Sequence, residues 1–338
     1  MTPTRVLIGL LAAIAALVLA SCGGGGGAPA DRSRADLLRS VTTWADQIQG
    51  IEDPGAVNAL AASTYGMLVV EPTRTCQGSE AFDTAGMVQR LKHLPNGRRR
   101  LVIAYVDIGE AEDYRTYWQA AWQAPTATQP GNPDFLLTVD PDGWSGNYPV
   151  AYWDQRWRNI IYARAGSLLD LALDDGFDGL YLDWIEAYED EAVLARATHD
   201  GVDATAQMIG FIGALRQAAR RRDPEFLVIA QNAPDLATGH PEYLRAIDAL
   251  AQEDVFFSGE ADTVWGDPRS GDIRTPDGPG EWTRQWLYGR LDVFRGADLP
   301  VFTMDYALVP ANIQEAYRLS RQHGYVPFVS QTPLSRLP

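Results

Sequence analysis

Gly176-Phe177-Asp178-Gly179-Leu180-Tyr181-Leu182-Asp183-Trp184-Ile185-Glu186 sets the reading of this chain. A helix-like segment leads into the Gly-Phe-Asp-Gly turn. A short apolar run, Leu180 to Leu182, follows and ends abruptly in carboxylates. That is the pattern of a buried parallel strand with acid groups at its C-terminal tip. In barrels built from such strands, those tips form the active-site face.

The same plan recurs along the chain. Met67 to Val70 ends at Glu71, and Leu101 to Val106 ends at Asp107, with Glu110, Glu112 and Asp113 just beyond. Val150 to Trp153 ends at Asp154, and Leu227 to Ala230 ends at Gln231-Asn232. Ile247 to Ala251 ends at Gln252-Glu253, Val301 to Met304 at Asp305-Tyr306, and Tyr325 to Val329 at Ser330-Gln331. With Leu180 to Leu182 these make eight candidate strands. The intervening stretches read as helices, for example Trp157 to Leu173, Ala204 to Arg220 and Asn312 to His323. Alternating strand and helix predicts a parallel sheet with right-handed crossovers, and eight units predict an α/β fold closed as a single-domain (β/α)8 TIM barrel. No Gly-x-Gly-x-x-Gly follows the first strand and no P-loop is present, which argues against nucleotide folds. Asp254 to Asp298 is a long insertion after strand six, rich in Gly, Pro and Asp. It is expected to cap the barrel mouth, with Trp265, Trp282 and Trp286 as walls.

The chain has 338 residues, 46% hydrophobic and 21% charged, enough for a large core. Its formal net charge of -16 opposes nucleic-acid binding, which rests on neutralising phosphates, and is compatible with a cationic partner. Ten Trp and fourteen Tyr supply faces that can cover the apolar side of sugar rings.

The N-terminus reads as a targeting segment. Arg5 precedes an almost unbroken apolar run, Val6 to Ala20, which ends in Leu19-Ala20-Ser21-Cys22. The run is short for a membrane span. This pattern resembles a bacterial lipoprotein signal, with residues 1–22 as signal and lipobox and Cys22 as the lipid-bearing residue. An ordinary secretory signal or a short anchor is the alternative. Gly23 to Gly27 opens a flexible tether over residues 23–38, and the barrel domain is expected over residues 39–338. Val41, Trp44 and Ile48 share one face if Ser40 to Gln49 is a helix. The protein is thus expected outside the cytoplasm, anchored to a bacterial membrane through Cys22. Cys76 is the only other cysteine, so no internal disulfide is available after lipidation, and it is expected to be a buried thiol.

The four histidines, His93, His199, His240 and His323, are scattered and none stands at a strand tip. That disfavours a histidine metal site or a Ser-His-Asp triad, and no Gly-x-Ser-x-Gly elbow is present. A carboxylate-only magnesium site stays open. Two carboxylates across an aromatic cleft can cleave a glycosidic bond, one as acid and the other as nucleophile or base. Asp183, Glu186, Glu253, Asp107, Glu110 and Asp305 are the candidates, each of which could instead cap a helix or hold a loop.

Val106-Asp107-Ile108-Gly109-Glu110-Ala111-Glu112-Asp113-Tyr114-Arg115, followed by Tyr117-Trp118, resembles a signature of the glycoside hydrolase family 114 barrel. The stretch from Gly176 to Glu189 resembles a second, and Gln231-Asn232-Ala233-Pro234-Asp235-Leu236 the family's Gln-Asn segment. The resemblance runs from about Tyr65 to Ser330. It implies a (β/α)8 barrel that hydrolyses α-1,4-linked galactosamine polymer by a retaining, two-carboxylate mechanism without a cofactor or metal. By position it makes Asp183 the nucleophile on strand four and Glu253 the general acid/base on strand six. Substrate contacts are expected from Glu71, Tyr105, Asp107, Glu110, Trp153 and Glu186, and from Tyr188, Gln231, Asn232, Asp305 and Tyr306. The family pattern more usually carries aspartate where Glu71 and Glu186 stand, and a smaller residue than Trp184. The expected partner is a polysaccharide, possibly a cationic amino-sugar polymer, with the membrane touched only through the lipid anchor; a monomer is expected. The rival readings are a non-catalytic carbohydrate-binding lipoprotein on the same barrel, and a magnesium-dependent barrel enzyme.

Overall fold

Eight short strands pair in parallel, in chain order: β1 (Trp44–Gln47), β2 (Met67–Val70), β3 (Leu101–Asp107), β4 (Gly179–Asp183), β5 (Leu227–Gln231), β6 (Ala249–Glu253), β7 (Val301–Tyr306) and β8 (Val326–Ser330). The computed structural model describes residues 32–338; residues 1–31, and with them the signal segment and Cys22, lie outside the described residues. Nearly every strand residue is buried, as expected where helices cover the outer face and side chains fill the inner one. The sheet curls until its ends meet. The Trp44 indole Nε1 donates to Val326 O at 2.9 Å, and the amides of Ile48 and Gln49 donate to Leu334 O at 3.1 and 3.3 Å. The result is a nearly closed (β/α)8 TIM barrel, as the repeating sequence predicts.

Inside it, Trp44 packs against Phe302 and Phe328, with ring centroids 5.5 and 5.7 Å away, and Tyr181 lies 6.4 Å away. This aromatic layer plugs the barrel beneath the strand tips. Helices Ala56–Ala62, Thr84–Leu91, Leu168–Asp174, Ala204–Arg222, Pro241–Ala246, Arg284–Gly296 and Pro310–Gln322 fill the crossovers. The longest shows why they form. Asp203 caps the amide of Ala206 at 2.9 Å, Met208, Phe211, Ile212 and Leu215 bury one stripe, and Arg220 to Arg222 end it where the helix dipole favours cations.

The opening stretch of the quoted motif belongs to the opposite end of the barrel from its acids. Asp178 accepts from the Val102 amide at 2.9 Å and gathers Arg34, Lys92 and Arg99 around it. Gly179 follows because a Cβ there would meet Leu227 O at 2.5 Å, so only glycine lets β4 and β5 approach.

Two expectations are corrected. Ser40 to Gln49 is not a helix: the helix is Arg34–Arg39, and Trp44–Gln47 is β1. The apolar spacing mimicked a helix face because Asp46 and Gln47, both buried, break what would otherwise be an apolar strand run. Val150 to Trp153 is not a barrel strand. Asn147–Pro149 pairs antiparallel with Glu110–Glu112 as a two-stranded ribbon inside the β3–β4 crossover, and Asp154 caps helix Gln155–Arg158. The compact unit runs from Ser33 to Pro338, with Leu38 buried. The insertion after β6 contains a two-stranded ribbon, Phe257–Ser258 with Ile273–Arg274, before the regular crossover helix resumes at Arg284.

Candidate active site

Asp183 ends β4 at the barrel mouth. Its Oδ2 accepts a short hydrogen bond from the Tyr105 hydroxyl on neighbouring β3, and its Oδ1 accepts from the Trp184 amide at 2.8 Å. Trp184 adopts a left-handed backbone, φ 50°, which turns the chain sharply away from the barrel just after the acid. Gly109 makes room for that turn: a Cβ there would stand 2.2 Å from Trp184 O.

Glu253 ends β6. Its Oε2 accepts from the Gln231 and Asn232 side-chain amides, the latter at 3.0 Å, and its Oε1 accepts from the Tyr306 hydroxyl. Asn232 Oδ1 in return accepts from the Glu253 backbone amide at 2.8 Å. Gln231 sits between the two acids, since its Oε1 also accepts from the Trp184 amide at 3.3 Å. The two carboxylates are thus joined across β5 by one side chain and one peptide group.

The cleft above them encloses about 1030 Å³. Ten acids line it, Asp46, Glu52, Glu71, Glu110, Asp142, Asp183, Glu186, Glu253, Asp254 and Asp262, against one guanidinium, that of Arg274. Burial disfavours charge, and mutual repulsion adds to it. Asp183 is pushed up to about 7, by burial first and by the charge of Glu253 next, while the Tyr105 hydroxyl pulls the other way. Glu253 is raised by burial, against the three side chains that donate to it. Asp46 and Glu186 are raised for the same first reason, and each keeps an oxygen without a protein partner. Glu71 is pushed up to about 7 by burial, although Arg115 pairs with it and forks onto Glu112 at 2.5 and 2.7 Å. A carboxyl raised in this way gains or loses its proton near neutrality, where one acid of a pair can donate while the other attacks.

A sequence model described as glycoside-hydrolase family GH114 matches residues 70–337. The chain belongs to glycoside hydrolase family 114. A protein from Deinococcus radiodurans, described only as uncharacterized, is 32% identical over 310 residues, covering 90% of this chain and 85% of that one. The glycoside hydrolase domain of PelA from Pseudomonas aeruginosa superposes with a TM-score of 0.57 at 20% identity, over 88% of this chain and 97% of that domain. Ega3 from Aspergillus fumigatus, solved in complex with galactosamine, gives 0.58 at 17% identity, over 88% and 94%. These two likenesses speak to the fold, the family match to the class of enzyme: a glycosidase.

In this family 114 barrel, Glu71, Tyr105, Glu110, Glu186, Gln231, Asn232 and Tyr306 line the cleft with Asp183 and Glu253. Four expected contacts stand outside the lining. Asp107 turns back to accept from the Gly109 and Glu110 amides at 3.0 and 2.8 Å, and Asp305 accepts from the Phe256 and Phe257 amides at 2.6 and 3.0 Å. Asp107 anchors the loop that leaves its own strand, and Asp305 the loop that leaves neighbouring β6. Trp153 donates to Asp200 at 2.9 Å and stands outside the cleft lining, because it lies in the turn before helix Gln155–Arg158 rather than at a barrel strand tip. Tyr188 is buried in the turn after Trp184. Cys76 is partly exposed in the cleft wall rather than buried, and its thiol is pushed up to about 12, so it is inert. Sequence reasoning missed Asp46, because β1 was read as helix, and Tyr181, whose hydroxyl lies in the cleft without a protein partner. The alternation within Leu180-Tyr181-Leu182-Asp183 was the signal for Tyr181, since it shares the inner face with Asp183.

Proposed function

We propose that this protein hydrolyses an α-1,4-linked galactosamine-type polysaccharide with retention, at an extracytoplasmic membrane surface to which a lipid on Cys22 anchors it. The observation that carries the reading is the hydrogen-bonded link from Asp183 through Trp184 and Gln231 to Glu253 at the floor of one cleft. Glu253 protonates the glycosidic oxygen as the Asp183 carboxylate attacks the anomeric carbon. Glu253 then takes a proton from the water that releases the sugar from Asp183. Tyr105 and the Trp184 amide hold Asp183 in line, while Gln231, Asn232 and Tyr306 fix Glu253. The ten acids supply a field that favours a sugar carrying free ammonium groups. Support for the sugar class comes from the family and from Ega3, whose solved complex holds galactosamine.

Leaving-group dependence tests the two roles. Glu253→Gln should keep much of its first step on an aryl glycoside, which needs little protonation, and azide should speed its second step. Asp183→Asn should lose both substrates alike. The opposite pattern exchanges the roles. Loss of membrane retention in Cys22→Ala tests the anchor; unchanged retention overturns it.

A further inference from the structure

The acidic floor is only part of the cleft. Along the insertion after β6, the apolar side chains of Ile273, Pro276 and Trp282 join Ser258, Asp262, Arg274 and Thr275 in the lining. Trp282 is 45% exposed, although exposed indole is costly in water. Its backbone is left-handed, φ 59°, which a bulky residue adopts only where its surroundings hold it there, and such residues gather at ligand-contacting sites. The holding groups are visible. The Thr283 hydroxyl donates to Gly278 O at 2.7 Å and accepts from the Trp286 amide at 3.3 Å, fixing the turn. The Trp286 ring lies 4.9 Å from that of Trp282, Arg290 covers Trp286 at 5.0 Å, and Asp235 pairs with Arg290. A ring that merely stapled the start of the helix would be buried by it; this one is braced from behind and open to the cleft.

We infer that Trp282 is a sugar-binding platform, taking the apolar face of a pyranose other than the one whose bond is cleaved. The inference rests on the glycosidase reading and deepens it, since a grip on a further sugar unit favours the polymer over a single-residue substrate. Aromatic faces match the C–H face of a pyranose, and binding energy at a remote subsite can be used at the reacting bond.

The test compares wild type, Trp282→Ala and Trp282→Phe in the full chain. Affinity electrophoresis through gels containing partly deacetylated α-1,4-galactosaminan reads binding without catalysis. Kinetics on that polymer and on an aryl α-galactosaminide read the split. Trp282→Ala should lose retardation in the gel and lower the ratio of kcat/KM on polymer to that on the aryl substrate by about tenfold. Trp282→Phe should recover most of both. Equal retardation of wild type and Trp282→Ala, or no retardation of wild type, overturns the platform. Retardation that depends on Trp282 in a protein that cleaves neither substrate keeps the platform and overturns the glycosidase reading.

Discussion

Asp183 and Glu253 stand on β4 and β6 with a whole strand between them, and Gln231 of that strand holds both ends of the link: its Nε2 donates to Glu253 while its Oε1 shares the Trp184 amide with Asp183. After burial, the charge of Glu253 is the largest cause that raises Asp183.

Removing one charge must move the other acid. Glu253→Gln deletes the largest cause, after burial, of the high Asp183 value, so Asp183 should titrate well below its present value of about 7 yet above 3.8. Carboxylate NMR of the labelled aspartate reads this directly. In the wild type, activity should be bell-shaped with pH: at low pH both acids are protonated and nothing attacks, and at high pH both are ionised and nothing donates. An Asp183 titration that does not move would disprove the coupling.

The acidic floor should weaken the fold at alkaline pH. Asp46 is raised above 3.8 in the folded state, so the folded protein binds its proton more tightly than the unfolded chain. Its contribution to stability is fully present below the unfolded pKa and is lost as pH rises towards the folded value. Asp46→Asn removes this loss. Thermal melts should show the variant more stable than wild type at pH 8, with little gain at pH 4. An equal gain at both values contradicts the assignment.

Gly109 sets the position of the Asp183 turn. A Cβ there would lie 2.2 Å from Trp184 O and 2.7 Å from Trp184 Cε3, so Gly109→Ala must displace the residue whose amide orients Asp183. kcat should fall by about 10–100-fold, with a stability loss of about 1–3 kcal/mol. Normal turnover would show that Trp184 does not position the acid.

On a deacetylated, cationic polymer, kcat/KM should fall as salt screens the attraction of the acidic cleft, and it should change much less on a fully acetylated one. Equal salt dependence on the two polymers would remove charge from substrate selection.

Much of this was legible in the chain. Asp183 and Glu253 end apolar runs, and a run that stops at an acid is what a buried parallel strand with a functional tip looks like. Trp44–Gln47 was not legible, because its inward Asp46 serves the cleft floor and so breaks the apolar pattern of the strand. Val150 to Tyr152 reads as a strand for the converse reason: a connection packed against the barrel can be as apolar as a strand within it, and all three residues are fully buried. One strand missed before Asp183 and one false strand added before it cancel, so Asp183 and Glu253 remain on the fourth and sixth strands. Asp107 and Asp305 show a different limit. An acid at a strand tip can face substrate or fold back onto loop amides, and only the course of the loop separates the two.

The central claim is that Asp183 does covalent work on a galactosamine polymer. The most direct measurement incubates the protein and its Asp183→Asn variant with acetylated and partly deacetylated α-1,4-galactosaminan and follows new reducing ends. Cleavage by the wild type that disappears in the variant is the predicted result. Cleavage by both proteins, or binding by both with cleavage by neither, would contradict it.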